Sequence, residues 1–380
     1  MTVLKFNEPY ITDKELEYIS DVFSEKRFYG AGKYTNLCEK KIASIIGAKN
    51  ALLTDSCTAA LEIVALLLRD FTKKQEVIVP SYTFTSTASA FARAGFDVVF
   101  CEVNETDLMI DVDDARTKIS EHTVAIIPVH YGGLCADITK ICELGREFDI
   151  FVVEDGAQAF GAYLGEKHLG TFGDFGCFSF HETKNIHCGL GGSLVINNEG
   201  FAKRARHIWE RGTNRQEVLK GLVDKYSWVE IGGSFYPSEL QAAFLFAQLE
   251  YLDSNLAQRK TICDVYRNGL ADLRDNKKIS FPNIPIGYDS NYHAFYIIFD
   301  SELTTDRVRS FLLSNEVHAY IGYVPLHSSP VGLRMGYNVD SLPRTERIAK
   351  CVLRLPLHNN MTADSARTVC LLIEEYFNGK

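Results

Sequence analysis

No stretch of this 380-residue chain is apolar enough to cross a membrane. The longest apolar run, Ala51 to Leu68, is interrupted by Thr54, Asp55, Ser56, Thr58 and Glu62, short of the roughly 20 apolar residues a span needs. Positive charge is also scarce: 40 Lys and Arg stand against 49 Asp and Glu, a formal net charge of −9. That balance argues against nucleic acid or an anionic membrane as partner. The ten cysteines never fall in C-x-x-C spacing, so they indicate neither a metal site nor a disulfide framework but reduced, buried thiols. No Gly-x4-Gly-Lys-Ser/Thr segment occurs, which excludes a nucleotide-hydrolysing P-loop. Gly30-Ala31-Gly32 has no preceding strand and no third glycine, so it is not a dinucleotide fingerprint. It reads as a break in a helical run over 12–47, with Leu16, Ile19, Val22 and Phe23 on one face, or as a loop lining a substrate. The first eight residues carry no apolar signal core, and a cytoplasmic location is expected. Internal repeats, low-complexity segments and metal-binding motifs are missing as well.

The chain does have regular alternation between short apolar runs and helical patterns. At 46% hydrophobic and 23% charged it is an ordinary globular sequence, long enough for two domains, here expected at 1–249 and 250–380. Strands are expected at 51–53, 77–80, 97–103, 124–129 and 150–153, with helices between them. Such alternation predicts a doubly wound, mostly parallel sheet, whose ligands bind beyond the carboxyl ends of its strands. After about 250 come amphipathic helix, strand-like runs at 294–299 and 318–321, and a terminal helix over 362–377. These make a smaller C-terminal α/β unit packed over a cleft.

Four segments at expected strand ends carry chemistry. Phe178-Ser179-Phe180 and Ser193-Leu194-Val195-Ile196 read as buried strands, and between them Lys184 lies in a turn with Gly189, Gly191 and Gly192. A corner of that kind desolvates an amine and lowers its pKa, as a Schiff-base lysine requires. Phe151-Val152-Val153-Glu154-Asp155 ends an apolar strand on a carboxylate, which is costly unless a cation meets it. A protonated pyridine nitrogen would be one such cation. Thr54-Asp55-Ser56-Cys57-Thr58 opens a helix, where small polar residues either cap it or help its N-terminus hold an anion. Phe84, among the hydroxyls of Ser81 to Thr87, could stack on a flat ring or belong to the core.

Together with Pro128-Val129-His130-Tyr131-Gly132-Gly133, Gly156-Ala157-Gln158, Arg211-Gly212-Thr213-Asn214-Arg215 and Leu240-Gln241-Ala242-Ala243, these segments give the chain a whole-length resemblance. It resembles the DegT/DnrJ/EryC1/StrS sugar-nucleotide aminotransferases, in the branch similar to TDP-4-oxo-6-deoxy-D-glucose transaminase. The resemblance implies a pyridoxal phosphate-dependent fold type I enzyme, like aspartate aminotransferase. It implies that Lys184 holds the cofactor aldehyde, Asp155 pairs with the pyridine nitrogen, Gln158 meets the ring hydroxyl and Phe84 stacks on the ring. Cys57, Thr58 and Ser179 would hold the phosphate, and Ser234 would reach it from a partner subunit, so that a homodimer shares its active sites. Tyr323 and His327, in Tyr323-Val324-Pro325-Leu326-His327, would contact the sugar nucleotide. Arg211, Arg215, Lys225 and Lys33 are candidate donors to its phosphates.

The expected reaction takes an amine from glutamate and gives it to C4 of the 4-oxo-6-deoxy sugar, or to C3 of a 3-oxo isomer. A lyase on the same scaffold and a non-catalytic sugar-nucleotide sensor are the rival expectations. One departure from the family pattern stands out: Leu190, in Gly189-Leu190-Gly191-Gly192, occupies a place where an acid is usual.

Overall fold

A computed structural model describes residues 3–379. Seven strands form the main sheet: β1 (Ala51–Thr54), β2 (Glu76–Pro80), β3 (Asp97–Cys101), β4 (Thr123–Ile126), β5 (Phe151–Asp155), β8 (Phe175–Ser179) and β9 (Gly192–Ile196). Two short strands, β6 (Tyr163–Leu164) and β7 (Lys167–His168), lie between β5 and β8 in the chain. The order across the main sheet is β1-β9-β8-β5-β4-β2-β3. β9 alone runs antiparallel to its neighbours β1 and β8; the remaining pairs are parallel.

Val77, Ile78, Val79, Val153 and Phe175 are fully buried, as befits a parallel sheet covered by helices on both faces. The antiparallel β8–β9 pair matters most for function. Its connection is a tight return rather than a helical crossover, and that return carries Lys184. The return keeps sheet-like bonds, with Phe180 N–H donating to Gly191 O at 2.8 Å and Glu182 N–H to Gly189 O at 2.9 Å.

The C-terminal part builds a second sheet in the order β11-β13-β12, from β11 (Phe295–Ile298), β12 (Tyr320–Ile321) and β13 (Val352–Leu355), all antiparallel. Its core includes Ile297, Leu312, Leu353, Val369 and Ile373. The N-terminal segment joins this unit: Leu4 N–H donates to Glu316 O and Leu4 O accepts from His318 N–H, at 2.9 and 3.0 Å. β10 (Tyr288–Asp289) pairs with β6 and ties the C-terminal part back to the main body.

The expected helical run over 12–47 is two helices, Lys14–Glu25 and Lys33–Ile46. Gly30 sits at the break because a Cβ there would lie 2.1 Å from Pro237 O. No side chain of Gly32 can cap the second helix; the buried Glu239 carboxylate instead accepts from the N–H groups of Gly32, Tyr34 and Thr35. Gly30 and Gly32 therefore serve packing at a helix break, and neither lines the cleft at the strand ends. The expected apolar face of the first helix is corrected too. Val22 is buried, but Leu16 and Phe23 point outward, with Phe23 against Phe28.

Candidate active site

A cleft of about 480 Å³ opens at the carboxyl ends of β2, β5 and β8, beneath β13. Lys184, Asp155, Gln158, Ser179, Cys57, Thr58, Phe84 and Tyr323 all line it, though they come from segments scattered over 267 positions of sequence (57 to 323). A larger cavity of about 630 Å³, between Phe71, Arg146 and Asp174, contains none of these groups.

Lys184 is packed among protein atoms and meets solvent only partly. Burial lowers its pKa below the ordinary lysine range, the nearby Cys57 and Asp155 oppose that shift, and Arg354 adds to it. Asp155 is the opposing group that counts at neutral pH, because burial keeps the Cys57 thiol protonated. The backbone at Lys184 is fixed from both sides. Its N–H donates to His181 O at 2.8 Å. The next residue, Asn185, donates through Nδ2 to Asn291 O at 2.6 Å and accepts at its own carbonyl from Asn255 Nδ2.

Asp155 is held in a cage of two donors, Thr87 Oγ1 at 2.7 Å and Ala157 N–H at 3.0 Å. Burial raises its pKa, and those two hydrogen bonds with Lys184 pull against the rise. A carboxylate so placed gains most from a cation that reaches it directly. Its neighbour Glu154 is buried too and accepts from the N–H groups of Gly170, Phe172 and Gly173 and from His130 Nε2. Ala136 N–H donates to His130 Nδ1, which places the imidazole proton on Nε2. That hydrogen-bond network locks the end of β5, from which Asp155 projects.

The anion end is the start of the helix Cys57–Phe71. Ser56 caps it by accepting from Ala59 N–H at 3.0 Å, so the cap spends its oxygen on one donor and leaves the N–H groups of Cys57 and Thr58 for another acceptor. Gly192 permits this approach: a Cβ there would lie 2.4 Å from Cys57 N. Thr58 Oγ1 lies 2.7 Å from Ser86 Oγ, and Ser179 Oγ accepts from His181 N–H. Phe84, 56% exposed, presents its ring to the cleft rather than to the core. Gln158 accepts from Gly132 N–H at 2.6 Å and donates through Nε2 to Tyr323 Oη at 3.1 Å. A lysine of lowered pKa, a caged carboxylate, an exposed ring and a helix N-terminus with spare donors fit a pyridoxal phosphate.

Several expected residues lie elsewhere. His327 is fully buried and has no face left for a sugar nucleotide. Its Nδ1 and its backbone N–H both meet Ser81 Oγ, at 2.7 and 3.1 Å, so it pins the 323–327 loop to the end of β2 and acts on ligands only through that loop. Ser234 is exposed in a groove with Asp55, Ser56 and Phe235, outside the cleft of its own chain. Arg211 stacks over Tyr236 at 5.1 Å, and Arg215 pairs with Glu210 at 2.7 Å and with Tyr29. Lys33 is engaged by Asp21 and Glu25, and Lys225 lies in the exposed 219–229 segment; neither lines the cleft.

The cleft also holds residues that the sequence reading passed over: Phe6, His181, His293 and Arg354. Arg354 carried a legible signal, a lone charge in the apolar run Val352-Leu353-Arg354-Leu355. Asn185 Oδ1 can only accept, since its Nδ2 is spent on Asn291, so His293 donates to it from Nδ1 at 3.0 Å. Burial and the nearby cations hold the His293 pKa well below the usual range, which keeps the ring neutral.

Comparison with known proteins gives the same picture. Residues 9–374 match the DegT/DnrJ/EryC1/StrS aminotransferase family. GDP-perosamine synthase of Vibrio cholerae is 27% identical over 379 residues, covering 98% of each chain. The dTDP-4-dehydro-2,3,6-trideoxy-D-glucose 4-aminotransferase of Saccharopolyspora spinosa is 28% identical over 375 residues, covering 97% of this chain and 95% of its own. The crystal structure of S. venezuelae DesV superposes with a TM-score of 0.90 at 28% identity, covering 99% of both chains. Among the described residues no helix is long and apolar enough to cross a membrane. With this family match and the lysine–carboxylate cleft, the chain belongs to the DegT/DnrJ/EryC1/StrS family and is a pyridoxal phosphate-dependent sugar aminotransferase of fold type I.

Proposed function

We propose that the chain moves an amino group from glutamate to C4 of dTDP-4-oxo-6-deoxy-D-glucose, giving dTDP-4-amino-4,6-dideoxy-D-galactose for surface polysaccharide assembly. The observation that carries amino transfer is Lys184, desolvated and facing the caged Asp155 in one cleft. The choice of a dTDP-linked C4 substrate draws on the segments Phe180-His181-Glu182-Thr183 and Asp224-Lys225-Tyr226-Ser227-Trp228, and on the name of the S. spinosa relative.

Pyridoxal phosphate supplies the electron sink through which an amino group leaves one carbon and arrives at another. The protein supplies position and proton control. Cys57, Thr58 and Ser179 would hold the phosphate, Phe84 the ring face and Gln158 the ring hydroxyl. Asp155 would keep a proton on the ring nitrogen. Lys184 Nζ, whose lowered pKa leaves more of it uncharged, would hold the cofactor aldehyde. Released from it, Nζ would be placed to move the proton of the donor's α-carbon. With the same lysine serving both substrates in turn, the expected kinetics are ping-pong.

The same proposal includes a homodimer with shared sites, two lobes at 1–249 and 250–380, and a cytoplasmic location. Ser234 is exposed outside its own cleft, which supports a role in the partner's site, and the exposed Arg211 remains the free guanidinium for the nucleotide's phosphates. The sensor reading loses its one support. Leu190 sits at the rim, half exposed, with its carbonyl accepting from Gln241 Nε2 at 2.9 Å, so the missing acid leaves the lysine corner intact.

The test is to incubate enzyme, pyridoxal phosphate, glutamate and dTDP-4-oxo-6-deoxy-D-glucose, then locate the new amine by NMR couplings. An axial amine at C4 is expected. An equatorial one, or no product until a 3,4-ketoisomerase is added, would overturn the assignment.

A further inference from the structure

Residues 4–10 run along the cleft and are bonded to both parts of the molecule. At one end, besides the Leu4 pairings, Phe6 O accepts from Leu357 N–H of the C-terminal unit at 3.2 Å. At the other end Tyr10 O accepts from two side chains of the main body, His187 Nε2 at 2.8 Å and Gln248 Nε2 at 3.0 Å. Between these ends Phe6 and Asn7 line the cleft. The Phe6 ring meets Tyr320 edge-on and lies 5.0 Å from the Arg354 guanidinium carbon.

Two histidines act on this segment in opposite senses. His187 belongs to the return between β8 and β9, three residues after Lys184. Its Nδ1 accepts from Gly189 N–H at 3.4 Å, which places the ring proton on Nε2, the atom that donates to Tyr10 O. The ring is buried and packs on Phe244 at 5.4 Å. That bond ties residues 4–10 to the loop that carries the lysine. His358, just beyond β13, is also buried, but neither of its ring nitrogens has a hydrogen-bond partner. Burial lowers its pKa and keeps the ring neutral; Glu8 and the Lys5 backbone pull against that shift, and Arg259 and the Lys5 ammonium add to it. A buried imidazole without a partner costs stability, and water would satisfy it once residues 5–8 lifted away.

We propose that residues 4–10 are a strap that opens and shuts the cleft as one piece, fastened shut by His187 and biased open by His358. This rests on the cleft being the place where donor and sugar nucleotide react. Both have to enter and leave it in each turnover. The strap suits that task because, apart from the Leu4 bridge, it forms no helix or strand, so few bonds break when it lifts. Neither histidine lines the cleft, so His187 and His358 are positioning residues that reach ligands through the strap.

The experiment is hydrogen–deuterium exchange on the full-length holoenzyme, read by mass spectrometry in peptides containing Leu4, His318 and Leu357, whose amides bond across the strap. His187→Phe keeps a ring beside Phe244 but removes the donor. Exchange at all three amides should quicken about fivefold, the factor that one neutral hydrogen bond sets. His187→Gln still offers an amide to Tyr10 O and should stay within about twofold of wild type. His358→Leu removes the unbonded nitrogens and should slow exchange about fivefold. In steady state, His187→Phe should raise the KM of both substrates without lowering kcat, and the absorption of the bound cofactor should not move. Three results would each overturn the proposal. One is unchanged exchange in both His187→Phe and the smaller His187→Leu; another is exchange quickened by His358→Leu. The third is a fall in kcat with a shifted cofactor band in His187→Phe, which would make His187 a support of the lysine corner alone. Exchange requires no amino transfer, so the parent reading is judged separately: wild-type enzyme whose cofactor is not bonded to Lys184 would sink that reading, whatever the strap does.

Discussion

One wall of the cleft comes from the carboxyl ends of β2, β5 and β8; the other comes from β13 and the N-terminal segment. On the first wall each functional group sits in a contiguous motif whose local pattern announces it. Asp155 closes an apolar strand, Lys184 follows another, and Cys57 and Thr58 open a helix. On the second wall the groups are single residues far apart in sequence. Phe6 and Arg354 meet only because Leu4 pairs beside Val317 and the C-terminal sheet folds over the main body. The first wall carries the groups proposed to hold the cofactor, whereas the second adds a guanidinium set between two aromatic rings. A site can thus be half legible from sequence, and the half that is read tells the reaction better than the substrate.

The largest effect should come from the first wall. Asp155→Asn removes the charge proposed to meet the ring nitrogen while keeping the size of the side chain beside Thr87 and Ala157. Turnover should fall by roughly 10²- to 10³-fold, with the chain still folded by circular dichroism. A loss under threefold would mean that Asp155 is only a cap at the end of β5, and the division between the walls would collapse.

A smaller effect should couple the walls. Burial and Arg354 lower the Lys184 pKa, with Asp155 opposing them. Only the uncharged amine attacks the cofactor aldehyde, so the rate of cofactor capture by apoprotein should rise with pH through that lowered pKa and level off above it. Arg354→Gln removes a repelling cation, so the midpoint should move to higher pH. Stopped-flow absorbance across a pH series measures it. A midpoint that is unmoved or lowered would show that the two walls do not interact electrostatically.

A third effect should appear at His327, which the resemblance puts at the sugar nucleotide and the fold buries against Ser81. His327 lies in Tyr323-Val324-Pro325-Leu326-His327, and nothing in that segment tells that Ser81, 246 positions away, would enclose it. Ser81→Ala should cost about 1–3 kcal/mol of stability, read by denaturant unfolding, while glutamate and sugar nucleotide KM values change less than twofold. A large KM change without loss of stability would return His327 to the site. The same limit explains the rest of what the sequence concealed. The doubly wound main sheet follows from the runs at 77–80, 97–103 and 150–153, but β13 is four residues long with a charge in its middle, and two glycines at 30 and 32 serve neighbours that lie near 237 and 239. Contacts of long sequence separation leave no local pattern to read.

The smallest effect is expected at the rim. Leu190→Glu restores the usual acid at a position 52% exposed, where a surface change alters stability within about 0.5 kcal/mol. Turnover with each sugar nucleotide should stay within twofold. A switch in preferred sugar would make the rim a third recognition region beside the two walls.

The account stands on Lys184 being the residue that bonds the cofactor. The direct measurement is borohydride reduction of the purified yellow enzyme, followed by digestion and mass spectrometry of the pyridoxyl-labelled peptide, with Lys184→Ala treated in parallel. The account predicts one labelled site, at Lys184, and neither label nor yellow absorption in the variant, which should still fold. Label on another lysine, or a variant that retains the reducible adduct, would contradict it.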